Sequence, residues 1–404
     1  MFHLWLNVRV SAIPETMCAV VYRGVNDLRL ETVPVPRIGA NELLVKVAVC
    51  GVCPTDIKKI HYGTVPPPRI FGHETAGTIV KIGGGRPSLV TKAGAARTHS
   101  SLKVGDRVAL HHHVPCLKCH FCRHRAFAQC ETYKRTGITA GFEPAGGGYA
   151  EYVRVMDFVL PGVVKIPARN SFEEGAMLEP VNTVLKAVKR LNLLRGDNVL
   201  VAGQGPIGLM FTKILQLRGV NVLATDLLES RLKLAKKFGA KWVVNVSSSG
   251  RESALTKNFA FRIPHSALPL DAAIIAVPSD AAVQQALQLV RGGGQILLFA
   301  HTKRANQSKV ESRKSKAKGE NFLALDSRPS TLDFASICLD EKDLIGSYSS
   351  DFTLQDEVAK LVFSRRLDVR PLITHRFSLE QTSAAIQLAS NPTPDSLKIL
   401  VGSF

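Results

Sequence analysis

The sequence predicts an α/β fold in which a doubly wound parallel sheet is joined to a smaller, barrel-like β domain. Three observations predict it. Residues 17 to about 165 hold short β-branched runs broken by Gly and Pro, the pattern of small paired strands. From residue 198 onward strands alternate with helices, the mark of a parallel sheet covered on both faces. Between the first strand and first helix of that series lies a glycine loop, Gly203-Gln204-Gly205-Pro206-Ile207-Gly208.

In the first region 43–49, 76–80 and 106–110 read as strands. A second methionine, Met17, precedes Cys18-Ala19-Val20-Val21-Tyr22, which reads as the first strand. Residues 1–16 are therefore expected to be a dispensable extension. The stretch 172–194 turns helical, with apolar residues at helical spacing and Lys/Arg late. Strands are then expected at 198–202, at 220–225 ending on Asp226, and at 242–245, 272–276, 295–299 and 343–348. The residues beyond are too few to stand alone and should complete the first domain. The expected boundaries are 17–180 and 349–404 for the two parts of the β domain, with a cysteine lobe at 111–131, and 181–348 for the nucleotide-binding domain.

At 404 residues the chain can build two cores. No apolar run approaches the roughly 20 residues that span a bilayer, so no membrane partner is expected. The formal charge of +19 is partly local. Residues 301–320 carry seven Lys/Arg against two acids, and Arg86, Lys92, Arg97 and Lys103 form a second basic stretch without any. Neither interleaves aromatic residues for base stacking, so both read as surface insertions, near 85–103 and 302–320, and no nucleic-acid partner is expected. Of eight cysteines, five fall in two metal-type motifs. Nothing suggests a disulfide framework, and thiolate metal ligands suit a reducing compartment, so the cytoplasm is expected.

Cys116, Cys119, Cys122 and Cys130 are spaced C-x2-C-x2-C-x7-C, which matches a closed, four-thiolate structural zinc site. The nearby His111, His112, His113, His120 and His124 read as surface residues, because the thiolate set is complete. In the glycine loop, Gly203 permits a tight turn, Gly205 lets the backbone approach a pyrophosphate, and Gly208 allows close helix–strand packing. The following helix begins at Pro206-Ile207 and offers free N–H groups to phosphate. Asp226 would bind ribose hydroxyls and repel a 2′-phosphate, which favours NAD over NADP, while Arg231 either weakens that preference or flanks the adenine. A third constellation comprises Cys53-Pro54-Thr55-Asp56, Gly72-His73-Glu74 and Glu179-Pro180. It supplies a thiolate, an imidazole and carboxylates, a set that leaves zinc open to an alcohol.

From Met17 to Phe404 the chain resembles the zinc-dependent medium-chain dehydrogenase/reductases, in the sorbitol and threonine dehydrogenase branch. The resemblance implies a Rossmann coenzyme domain inserted in a split GroES-like β-barrel catalytic domain, with two zinc ions per chain, one catalytic and one structural. It implies that Cys53, rather than Cys50, is the metal thiolate and His73 the imidazole ligand. Glu74 binds zinc or exchanges with it, Glu179 fills a position where alcohol dehydrogenases often have cysteine, and Thr55 passes on the substrate proton. Lys58 departs from the pattern where relatives have a relay histidine, with His61 one turn further on. Ser349 and Ser350 depart where sorbitol dehydrogenases carry larger polar groups. The resemblance thus implies hydride transfer between a secondary alcohol, polyol-like, and NAD, yielding a ketone, in a homodimer or homotetramer. Threonine oxidation is the rival within the class; a basic, zinc-containing nucleic-acid binder is the rival outside it.

Overall fold

The computed structural model describes residues 12–84, 102–111, 114–136, 146–247, 270–300 and 334–403. The basic segments 85–101 and 302–320, and residues 1–11, lie outside them. The chain divides into two compact units, one running to Lys186 and resuming at Tyr348, the other spanning Ala187–Ser347.

The first unit is built on strands. β1 (Thr16–Gly24) pairs antiparallel with β2 (Asp27–Pro34) across a turn in which Asn26 adopts φ 57°. β3 (Leu43–Gly51) is rich in Val and Leu and is buried along most of its length, as befits a central strand. After α1 (Pro54–Tyr62) and β4 (Arg69–Ile70) comes β5 (Glu74–Ile82), which pairs antiparallel with β3 and with β6 (Arg107–Ala109). The short helices α2 (His120–Arg123) and α3 (Glu131–Thr136) belong to the cysteine lobe. β7 (Tyr152–Val155) pairs with β3 and β8 (Val164–Lys165) with β6. Tyr22 and Phe71 anchor one core, their ring centroids 5.3 Å apart.

The expected helix at 172–194 is two helices, α4 (Phe172–Ala176) and α5 (Leu178–Val188). Pro180 has no N–H for the Ala176 carbonyl, so one continuous helix cannot pass through it; within the first turn of α5 the same residue is tolerated. Ser171 and Glu174 close a capping box on α4.

In the second unit β9 (Asn198–Ala202) leads through the glycine loop into α6 (Pro206–Leu217). β10 (Asn221–Asp226), α7 (Glu229–Lys237), β11 (Trp242–Asn245), β12 (Leu270–Ile275), β13 (Val290–Leu298) and β14 (Asp343–Gly346) follow. The six strands form one parallel sheet in the order β11-β10-β9-β12-β13-β14. Strand order reverses beside β9, and ligands bind at the carboxyl ends of strands at such a switch point. This doubly wound sheet is the Rossmann element expected from the sequence.

The chain then returns to the first unit. β15 (Ile373–Phe377) pairs parallel with β16 (Lys398–Gly402), and β16 pairs antiparallel with β3, Leu400 opposite Gly51. Among the described residues, no helix is long and apolar enough to cross a membrane.

β1 begins at Thr16, ahead of Met17; the Glu15 carbonyl accepts from Val35 N–H at 3.0 Å, and Ile13 packs on the core. A chain starting at Met17 is therefore expected to fold but to melt a few degrees lower, since one hydrogen bond and one apolar contact are worth about 1–2 kcal/mol. Thermal unfolding of the two lengths side by side checks this. An identical melting temperature would mean that residues 12–16 add nothing.

Candidate metal sites and nucleotide loop

Cys119 precedes α2 as its N-cap, so Cys119 and Cys122 face each other across one turn. Their sulfurs lie 3.4 Å apart, and those of Cys116 and Cys122 lie 4.0 Å apart. All four sulfurs, Cys130 included, fall within 4.8 Å of one another. A tetrahedral set with Zn–S near 2.3 Å has sulfurs about 3.8 Å apart, so the lobe fits zinc. Leu117, at φ 60°, turns the chain. Burial opposes ionisation of Cys116, yet the N–H groups of Lys118 and Cys119 hold its thiol down at about 6. Burial and hydrogen bonding to Cys119 and Cys130 push Cys122 up to about 12. Four thiols this close resist full ionisation unless a cation sits among them. His120 and His124 are exposed, rings 4.6 Å apart, and stand outside the sulfur cluster. His111 corrects the expectation of a surface residue: it is buried just after β6. His112 and His113 lie outside the described residues.

The second grouping assembles from distant segments. Cys53 is the N-cap of α1, Pro54 supplies the first helical residue, and Thr55 is half-buried beside it. His73 immediately precedes β5, and Glu74 opens it. The ligand atoms of Cys53, His73 and Glu74 lie within 4.8 Å of one another. Glu179, buried near the start of α5, stands outside that cluster but is electrostatically coupled to His73 and Glu74.

Two residues given no role by the sequence reading complete this site. Asp56, fully buried in the first turn of α1, places both carboxylate oxygens 3.2 Å from His73 Nδ1. That leaves Nε2 for a metal, the arrangement by which carboxylates orient ligating imidazoles. Lys398, on β16, ion-pairs with Glu74 and donates to the Val52 carbonyl at 3.0 Å. Gly51 makes room for the pair, since a Cβ there would stand 1.9 Å from Glu74 Oε2.

The electrostatics have one direction. Burial penalises a charge on His73, but Asp56 and Cys53 outweigh it and hold the ring well above the usual imidazole range. Burial, aided by the like charge of Glu74, pushes Glu179 up to about 7. Burial likewise disfavours the Lys398 charge, and Glu74 more than restores it. Three buried carboxylates, Asp56, Glu74 and Glu179, face two cationic groups, His73 and Lys398, with the Cys53 sulfur beside them, a donor set that suits a divalent cation.

His61 does not join the site. Its Nδ1 meets Asn26 Oδ1 and its Nε2 lies 2.8 Å from Ser390 Oγ, so both ring nitrogens are engaged elsewhere.

In the second unit, Gly203 adopts φ 92°, and a Cβ on Gly208 would stand 1.8 Å from the Gly203 carbonyl oxygen. Nothing lies within 4 Å of where a Gly205 Cβ would be, so its backbone is open to an incoming phosphate. Gly205 caps α6, with Pro206 and Ile207 following in its first turn. Asp226 ends β10 and accepts from Gln204 N–H at 2.7 Å and Leu228 N–H at 2.9 Å. It thereby fixes the loop. Arg231 is half-buried in the first turn of α7. This cradle fits a dinucleotide.

Residues 39–168 match the alcohol dehydrogenase GroES-like domain, and residues 206–363 match the zinc-binding dehydrogenase domain. The chain is 29% identical over 399 residues to the sorbitol dehydrogenase of Bacillus subtilis (strain 168), covering 96% of this chain and 98% of that one. Its fold is similar to 2R,3R-butanediol dehydrogenase from Bacillus subtilis, with a TM-score of 0.72, 23% identity and coverage of 96% and 100%. It is also similar to acetophenone reductase from Geotrichum candidum NBRC 4597 in complex with NAD, with a TM-score of 0.72, 22% identity and coverage of 97% and 98%. The chain belongs to the zinc-dependent medium-chain dehydrogenase/reductase family. It is an alcohol dehydrogenase that uses zinc and a nicotinamide dinucleotide.

Asp56→Asn is expected to weaken metal binding at the Cys53–His73 site by about 10- to 100-fold, since it removes the charge that orients the imidazole. Competition with a chromophoric chelator measures this, and unchanged affinity would deny Asp56 that role.

Proposed function

We propose that the chain oxidises a secondary alcohol carrying further hydroxyl groups, a polyol, to the ketone with NAD as hydride acceptor. The observation that carries this reading is the buried, electron-rich grouping of Cys53, His73 and Glu74, joined electrostatically to Glu179. Its likeness to sorbitol dehydrogenases supports the substrate class. Zinc bound there would act as a Lewis acid, lowering the pKa of a substrate hydroxyl. Cys53 and His73 would hold it, with Glu74 or Glu179 as the third ligand. Thr55, at the start of α1, would relay the hydroxyl proton onward to solvent, its own proton leaving as the substrate's arrives. Lys398 holds Glu74 in place through their ion pair, and Asp56 would orient His73 through Nδ1. In the other unit, Gly203, Gly205 and Gly208 would admit the pyrophosphate, and the Asp226 carboxylate would favour NAD by repelling a 2′-phosphate. The thiolate lobe would hold the structural ion. We infer a cytoplasmic homodimer or homotetramer.

The test combines metal content with turnover. Purified protein should hold two zinc ions per chain and reduce NAD with a polyol panel in preference to an amino-acid panel. Cys53→Ser should lose one ion and NADH formation while still folding. Cys119→Ser should instead melt earlier, because metal binding and folding are linked at a closed site. Normal turnover in Cys53→Ser, or a preference for threonine, would sink the proposal.

A further inference from the structure

Gln204 lies between Gly203 and Gly205, so the nucleotide turn has little side chain of its own to set its shape. Glycine tolerates many backbone conformations, yet Gly203 is held at φ 92°. The Gln204 side chain is in place to make that choice. It is fully buried, and both ends of its amide are engaged. Nε2 donates to the Val201 carbonyl at 2.9 Å, near the end of β9. Oε1 accepts from Thr212 Oγ1 at 3.0 Å, in the second turn of α6. Thr212 is itself fully buried.

The amide therefore spans the turn, from the strand that enters it to the helix that leaves it. Gln204 Nε2 lies 3.7 Å from where a Gly208 Cβ would be, so the amide rests against the first turn of α6. The backbone of the same residue reaches a third segment, since its N–H donates to Asp226 Oδ2 at 2.7 Å, at the end of β10. Among the described residues no side chain caps α6 at Gly205, which leaves the first N–H groups of the helix to a ligand.

We propose that Gln204 and Thr212 are positioning residues for the coenzyme: their buried bond sets the glycine turn in its pyrophosphate-binding shape before the dinucleotide arrives. The inference rests on the coenzyme reading above and is independent of the alcohol. A turn ordered in advance spares the ligand the cost of ordering it, and that saving appears as affinity. Without the Thr212 hydroxyl, Gln204 Oε1 is left buried and unpaired, and the turn must shift to satisfy it. The glycine pattern leaves position 204 open to any residue, so the couple is a property of this chain's Gln204 and Thr212.

The experiment uses zinc-loaded full-length protein without alcohol, and measures dissociation constants for ADP-ribose and for adenosine by titration calorimetry. ADP-ribose carries the pyrophosphate. Adenosine would meet Asp226 but not the turn, and serves as the control. Thr212→Val, close in shape but lacking the hydroxyl, is expected to weaken ADP-ribose by roughly tenfold, the size of one lost hydrogen bond, and to leave adenosine unchanged. Gln204→Met should act in the same direction, and combining the two should add little, because both act through one bond. Thr212→Ser keeps the hydroxyl and should bind ADP-ribose as wild type does. A merely structural couple would lower the melting temperature and leave the ratio of the two constants alone, which overturns the inference. Equal weakening by Thr212→Ser and Thr212→Val also overturns it, by assigning the effect to packing. If Thr212→Val fails to fold, Gln204→Met carries the same test. Wild-type protein that binds neither NADH nor ADP-ribose overturns the coenzyme reading, and this inference with it.

Discussion

Surplus negative charge in a dry place is the constraint on which the first unit depends. Asp56, Glu74 and Glu179 are almost wholly inaccessible to water, and the Cys53 sulfur stands with them. Leaving one buried charge uncompensated costs about 3–5 kcal/mol, so each needs a partner supplied by the fold. Asp56 has His73, and Glu74 has Lys398. Burial pushes Glu179 up to about 7. A divalent ion held by Cys53, His73 and Glu74 would complete the balance.

Topology delivers these partners. α1 starts directly after β3, which sets Cys53 and Asp56 near the strand, and β5 pairs back along β3 to bring Glu74 opposite Gly51. β16 joins the other edge of β3 and carries Lys398 to the same place. The absence of a side chain at Gly51 then allows acid and base to meet across the strand. A backbone arrangement and one missing Cβ do the positioning that no short sequence motif could.

The parts that were legible in the sequence are those whose meaning is local. The four cysteines fall within one loop, and the glycine turn lies between a strand and a helix that periodicity already marks. Strand positions in the parallel sheet followed from β-branched runs for the same reason. Asp56 was visible beside Cys53, but its role depends on which face of α1 meets His73. Lys398 carries no local signal, because its partner Glu74 comes from a segment far along the chain. The break at Met177 was written plainly in Pro180, yet helical spacing on both sides concealed it. His111 was grouped with its exposed neighbours because histidine runs look alike until burial distinguishes them.

The place of β16 has a consequence for biosynthesis. Lys398 emerges from the ribosome only after the entire nucleotide-binding unit has been made, since that unit separates β3 from β16 in the chain. Until then Glu74 lacks its counter-ion and β3 an edge neighbour. A metal centre that includes Glu74 would therefore mature late, while the cysteine lobe, contained in one short stretch, could capture an ion early. The order of translation would thereby separate the two loading events in time.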